Sequence, residues 1–146
     1  MKITDIKTTV IAGRKDWNYV RVDTDEGISG FGEAHPGDGL VDLIQKRLKP
    51  LVLGHDPRDV EPLYTRMIDR TTGQSQAGSM LGAIAGVETA LWDIAGKACG
   101  LPVSRLLGGR YRERLRVYAD VGRGTRGENT PETWAARALE GVGEGF

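Results

Sequence analysis

Few side chains in this 146-residue sequence combine a reactive type with a spacing that could do chemistry. The most conspicuous candidate is "GRGTRG", Gly122 to Gly127, which satisfies G-x-G-x-x-G after an expected strand. That pattern cradles a pyrophosphate when a helix begins at the glycines, because the free backbone N–H groups then face the anion. Here the helix start is marked later, by Thr130 and Pro131, with Arg126, Glu128 and Asn129 in between. The dinucleotide reading is therefore set aside. Cys99, the single cysteine, cannot close an internal disulfide, and its apolar and small neighbours read as the setting of a small buried thiol. Of the two histidines, His55 reads as a surface residue ahead of a helix, whereas His35 lies in "GEAHPGD", where Pro36 stiffens the loop. No pair of His and carboxylate ligands falls at the helical or strand spacing that a metal site uses.

Charge narrows the classes further. Twenty acidic and twenty basic side chains cancel, which leaves no overall field to draw in nucleic acid or an anionic membrane. No stretch approaches the ~20 apolar residues that span a bilayer. The N-terminal "MKITDIKTTVIAG" alternates polar and apolar residues and lacks a secretory apolar block, so a cytoplasmic location is expected.

The elements that would position these side chains begin with three strands. Residues 2–12 place Ile6, Thr8 and Val10 on one face, and "WNYVRVDT" sets Val20 and Val22 opposite Tyr19 and Arg21. "DEG" at 25–27 is a hairpin turn, and "ISGFGEA" returns as a third strand whose glycines indicate close packing or a bulge. Helices follow. Residues 39–49 carry Leu40, Leu43, Ile44 and Leu48 on one stripe and are expected to stop at Pro50. The next helix is expected to start at Asp56 as N-cap, with Pro57 first inside and Pro62 still near the first turn. The longest runs from about Ser79 to Cys99, with Met80, Leu81, Ile84, Val87, Leu91, Ile94 and Ala98 on its apolar stripe. A second face, Gly82, Ala83, Gly86 and Ala90, is small enough for another backbone to approach closely. Beyond "PVSRLLGG", residues 115–121 read as a strand. "NTPETWAARALEGVGEG" reads as a helix with Trp134, Ala138, Leu139 and Val142 inside. Strand, loop and helix in that order make half of a βαβ unit.

"AIAGVETALWDIAGKACGLPVSRLLGG", Ala83 to Gly109, resembles the signature of the mandelate racemase and muconate lactonizing enzyme group of the enolase superfamily. The likeness lies in the small residues 83, 85 and 86, Glu88, Ala90-Leu91, Asp93, Gly96-Lys97, Pro102-Val103 and Leu106-Leu107-Gly108. It implies an α+β fold: a three-stranded antiparallel meander with a helical bundle, followed by the start of an incomplete (β/α) barrel. Residues 1–112 would be the capping domain and 113–146 the first strand and helix of a TIM-type barrel. The long helix would lie between the cap's other helices and the barrel, so most of its partner is expected outside this chain.

The resemblance also implies chemistry. Members remove a proton from the carbon beside a substrate carboxylate, with a Lys or His base and a divalent metal, magnesium, to stabilise the enediolate. The base and the three carboxylate ligands belong to later barrel strands, so no catalytic residue and no metal ligand is expected within residues 1–146, and the chain alone is expected to be inactive. Glu88 and Asp93 are expected as structural ion pairs or caps. What remains is a wall over the barrel mouth. Lys15 and Trp17 after the first strand, Glu33 and His35 after the third, and Asp120 and Arg123 at the first barrel strand are the implied substrate-binding residues. Lys15 and Trp17 read equally well as a solvated turn residue and a strand-end core residue. The implied substrate is a small carboxylate, most plausibly an acid sugar undergoing dehydration, and the complete enzyme would be a homo-oligomer. Racemisation, epimerisation and cycloisomerisation are the alternatives within the superfamily; a non-catalytic module binding a partner through the small-residue helix is the alternative outside it.

Overall fold

The computed structural model describes residues 1–12, 16–35, 37, 39–73, 78–121 and 130–146. These fall into two units, Met1–Gly109 and Arg110–Phe146. "GRGTRG", Lys15, Pro36 and Arg123 lie outside the described residues.

The first unit opens with an antiparallel meander of β1 (Ile3–Ile11), β2 (Trp17–Thr24) and β3 (Ser29–Ala34), in the order β1-β2-β3. Alternation sets the faces. Asn18, Val20, Val22 and Thr24 of β2 point inward and are buried, while Trp17, Tyr19 and Arg21 face solvent. On β1, Ile3 and Ile6 are buried, but Val10 is 49% exposed although it pairs with inward-facing Asn18. The face is as the alternation implies; the helical layer simply does not reach that far. The β2–β3 turn closes at Gly27, with φ of 79°, where the Gly27 amide donates to the Thr24 carbonyl.

The helices begin with α1 (Leu40–Leu43), a π turn (Ile44–Leu48) and α2 (Lys49–Val52) in one run. Pro50 therefore does not end the helix as expected. Proline has no N–H for the carbonyl four residues back, and its ring would press on that carbonyl in an unbroken α-helix. The wider π turn just before it accommodates the ring. Helix α3 (Val60–Arg70) starts four residues after Asp56 rather than at it. The Asp56 carboxylate is engaged earlier, accepting from the Arg58 backbone N–H at 3.0 Å and from its guanidinium, so it builds a turn instead of a cap. Pro62 then sits third in the helix, where its missing N–H has no intrahelical partner to lose.

Helix α4 (Gly78–Cys99) crosses the inner face of the sheet and also touches α1 and α3. Its small residues meet the strand glycines. A Cβ on Gly30 would be driven into the Ala90 carbonyl oxygen, and one on Gly32 into that of Gly86. On the helix side, a Cβ on Gly86 would come within 2.9 Å of Ala34 Cβ. This corrects the expected partner: the small-residue face lies on β3 of the same chain, backbone against backbone. Gly100, with φ of 65°, ends the helix, and the Leu101 amide returns to the Gly96 carbonyl at 2.9 Å. Past the sheet the last turn is uncovered, so Ala98 and Cys99 are exposed and the buried-thiol expectation fails. Helix α5 (Val103–Leu106) follows, with Pro102 as its N-cap.

Helical side chains close both edges of the meander. Gln45 Nε2 donates to the Ile6 carbonyl at 3.0 Å on the β1 edge. On the β3 edge, Asp93 accepts from the Phe31 amide at 2.9 Å and Lys97 donates to the Ser29 carbonyl at 2.8 Å. Asp93 and Lys97 also pair with each other at 2.6 Å, and Glu88 accepts from Trp92 Nε1 at 3.2 Å. These signature residues thus blunt a free strand edge and tie a helix face together.

The second unit holds α6 (Pro131–Gly143), whose start is as expected: Thr130 Oγ1 accepts from the Thr133 amide and Thr133 Oγ1 accepts from the Thr130 amide. Its interior is not as expected. Trp134, Leu139 and Val142 are 46%, 73% and 68% exposed, and residues 115–121 form no ladder. A strand exists only against another strand, and the described part of this unit offers none.

Two carboxylates make the first unit sensitive to acid. Asp23 is held down at about 2, chiefly by the hydrogen bond from Lys7 Nζ at 2.7 Å, with Ser29 and Arg21 adding to it. Asp56 is also held at about 2, by Arg58. Folded values below the ordinary carboxylate value mean that the unfolded chain takes up protons first as pH falls. Their stabilisation is complete above about pH 5 and is lost as pH drops through 4 toward 2. Melting curves at pH 7, 4 and 2.5 should show a falling Tm, and Asp23→Asn should flatten the fall. An equal slope in wild type and Asp23→Asn would contradict this assignment.

Candidate functional site

At one end of the first unit, β1 stops, β2 starts, β3 stops, and α1 and α4 begin. Chain reversals collect there because strand and helix ends cannot bury their backbone groups. Two clefts open at this end. One, of about 540 Å³, is lined by His35, Gly78, Ser79, Leu81, Gly82 and Ala85. His35 leans on α4 closely enough that a Cβ on Gly82 would lie 2.9 Å from its own Cβ. The other, of about 390 Å³, is lined by Val10, Asp16, Asn18, Gly37, Leu40 and Val41, among others. Asn18 links the two, since its Nδ2 donates to the His35 carbonyl at 3.4 Å.

The expected substrate-binding residues are distributed unevenly around this end. His35 lines a cleft. Trp17 pairs with Ile11 and is 41% exposed on the solvent face of the sheet, and Glu33 lies on that same face opposite Tyr19, so neither lines a described cleft. Lys15 and Arg123 lie outside the described residues, and Asp120 is exposed in the second unit. Asn18 was not among the candidates. Its signal is the strand alternation: a polar residue in the same register as Val20 and Val22 points inward, where apolar side chains are the rule.

Among the described residues no group of three or more His, Cys, Asp or Glu side chains is arranged to hold a metal ion. The donor set of the described residues therefore does not fit a divalent cation. No helix of the described residues is long and apolar enough to cross a membrane.

A three-stranded meander with α4 laid across it and sealing its β3 edge is the architecture that the resemblance implies, an enolase-type capping fold. Residues 6–108 match the family pattern described as mandelate racemase / muconate lactonizing enzyme, N-terminal domain, and the chain belongs to that family. It is 40% identical to D-xylonate dehydratase of Haloferax volcanii over 98% of its own length and 34% of that protein's. A mandelate racemase/muconate lactonizing enzyme-like protein from Rubrobacter xylanophilus has a solved structure that superposes with a TM-score of 0.82 at 38% identity, covering 99% of this chain and 40% of that one. A mandelate racemase/muconate lactonizing protein from Paracoccus denitrificans, solved with magnesium, gives 0.71 at 31% identity, covering 76% of this chain and 31% of that one. The chain thus spans about a third of the length of the curated relative it matches.

Proposed function

We propose that residues 1–146 form the front portion of a cytoplasmic, magnesium-dependent acid-sugar dehydratase that works as a homo-oligomer. Residues 1–112 are its cap and 113–146 the first strand and helix of its barrel. The likeness to D-xylonate dehydratase across 98% of the chain carries this reading and favours dehydration over racemisation, epimerisation or cycloisomerisation. In such a reaction a sugar acid loses the proton beside its carboxylate and the hydroxyl one carbon further on. Water leaves, and the enol so formed relaxes to a 2-keto-3-deoxy acid. Magnesium, when bound, supplies charge stabilisation at the carboxylate. The described residues hold no ligand set for it, so their part is to bind and to exclude water. His35, beside its cleft, is the best-supported member of the substrate wall; Trp17, Glu33 and Asp120 join it by family position, as do Lys15 and Arg123.

The test is a chimera in which residues 1–146 replace the matching third of the Haloferax volcanii enzyme. It should convert D-xylonate to the keto acid with added magnesium, while the 146-residue chain alone should give no product above the blank. Conversion by the chain alone, or a folded chimera without activity, would overturn the proposal.

A further inference from the structure

The outer face of the meander, away from α4, carries Ile11, Trp17, Tyr19 and Phe31 in adjoining register positions. All four are exposed, Phe31 by 53%. Large apolar side chains scattered singly are ordinary on a surface; gathered on one face, they mark a contact. Charge indicates with what. Arg21 and Lys97 both lie over the Phe31 ring, 5.9 Å and 5.2 Å from its centre. Glu33, two residues further along β3, is exposed and makes no ion pair or hydrogen bond among the described residues. Lys7 and Arg21 are matched on the same face by Asp23. A nucleic acid or an anionic bilayer calls for a surface of one sign. A face that sets cations, aromatic rings and an unspent carboxylate side by side complements itself, which is what an isologous contact requires.

We propose that this face binds a second copy of the chain, sheet against sheet, about a two-fold axis crossing the strands between the Arg21–Phe31 and Tyr19–Glu33 pairs. Turned end for end in this way, each copy lays Arg21 over Tyr19 of the other, and Phe31 with Lys97 over Glu33 of the other. Each gains a cation on a ring and an ion pair, twice by symmetry. An axis along the strands between β2 and β3 would instead set Lys7 over Lys97, like charge on like. The sheet is small. Three strands of nine, eight and six residues present roughly 350 Å² at the usual rise and spacing. That is under half of the ~800 Å² per partner of a standard interface, so this contact alone gives a weak dimer. It names a contact for the homo-oligomer of the dehydratase reading, on which the choice of a copy as partner rests; the contact itself involves no turnover.

The test is sedimentation equilibrium of the 146-residue chain across micromolar to millimolar concentrations. A monomer–dimer equilibrium is expected, with Kd on the order of 0.1 mM for so small an area. Glu33→Lys, which sets lysine over Lys97 of the other copy, should weaken it at least tenfold. Phe31→Glu should do the same. Wild-type chain supplies a second measurement that needs no variant to fold. Cys99 is exposed near the end of α4, two residues past Lys97, so it takes a nitroxide label. In a mixture of labelled copies with isotope-enriched unlabelled ones, the amides of Tyr19, Phe31 and Glu33 should broaden between molecules. A monomer at millimolar concentration, undiminished pairing by either folded variant, or broadening on another face would each overturn the proposal. An inactive chimera would leave this equilibrium untouched, and a monomeric chain would leave the chimera free to turn over, so the two failures are separate results.

Discussion

Gly30→Ala should destabilise the first unit by about 3 kcal/mol, the upper end for overpacking a well-filled core. The new methyl group would be driven into the Ala90 carbonyl oxygen and would also sit 2.7 Å from Ile94 Cγ1. A side chain can rotate away. A carbonyl fixed in the middle of a 22-residue helix cannot, because moving it means lifting α4 off β3 along its whole contact. Shortening Ile94 in the Gly30→Ala background should therefore restore nothing. Urea denaturation checks both variants, and in melting curves the single change should lower Tm by roughly 10 °C or more. An unchanged midpoint would mean that the helix does not rest on the strand glycines.

Leu91→Ala is expected to cost about 2–5 kcal/mol, through lost burial and the cavity left behind. Leu91 is fully buried, in the same core cluster as Val20, Val22, Met67 and Ile94. That cluster joins the sheet to α3 and α4, so no single neighbour can slide in to fill the gap. The matched control is Leu139→Ala in the second unit, where the side chain is 73% exposed and the change should stay within about 0.5 kcal/mol. Equal losses at the two positions would contradict the division into a packed unit and a sparsely packed one.

Much of this is legible in the sequence itself. Strand alternation requires only local geometry, so the faces of β2 followed from "WNYVRVDT", including the inward register that Asn18 shares with Val20 and Val22. The apolar stripe of α4, apart from Leu81 and Ala98, which are exposed, and the Thr130-Pro131 start of α6 were equally readable, because both depend on residues within a few positions of one another. The family signature added the order of elements.

Other features needed the packed molecule. Small residues at 82, 83, 86 and 90 state that some backbone comes close, not which; β3 took that place because its own glycines removed the obstruction from the other side. Asp93 and Lys97, four residues apart, could have been a surface ion pair alone; only the position of the β3 edge made them its hydrogen-bonding partners. Pro50 and Asp56 misled for the same reason, since a π turn and a competing arginine respond to neighbours that a linear pattern does not contain. The chain by itself determined periodicity, faces and family, which are properties of nearby residues. The tertiary structure decided partners and edges, because these depend on groups brought together from distant parts of the chain.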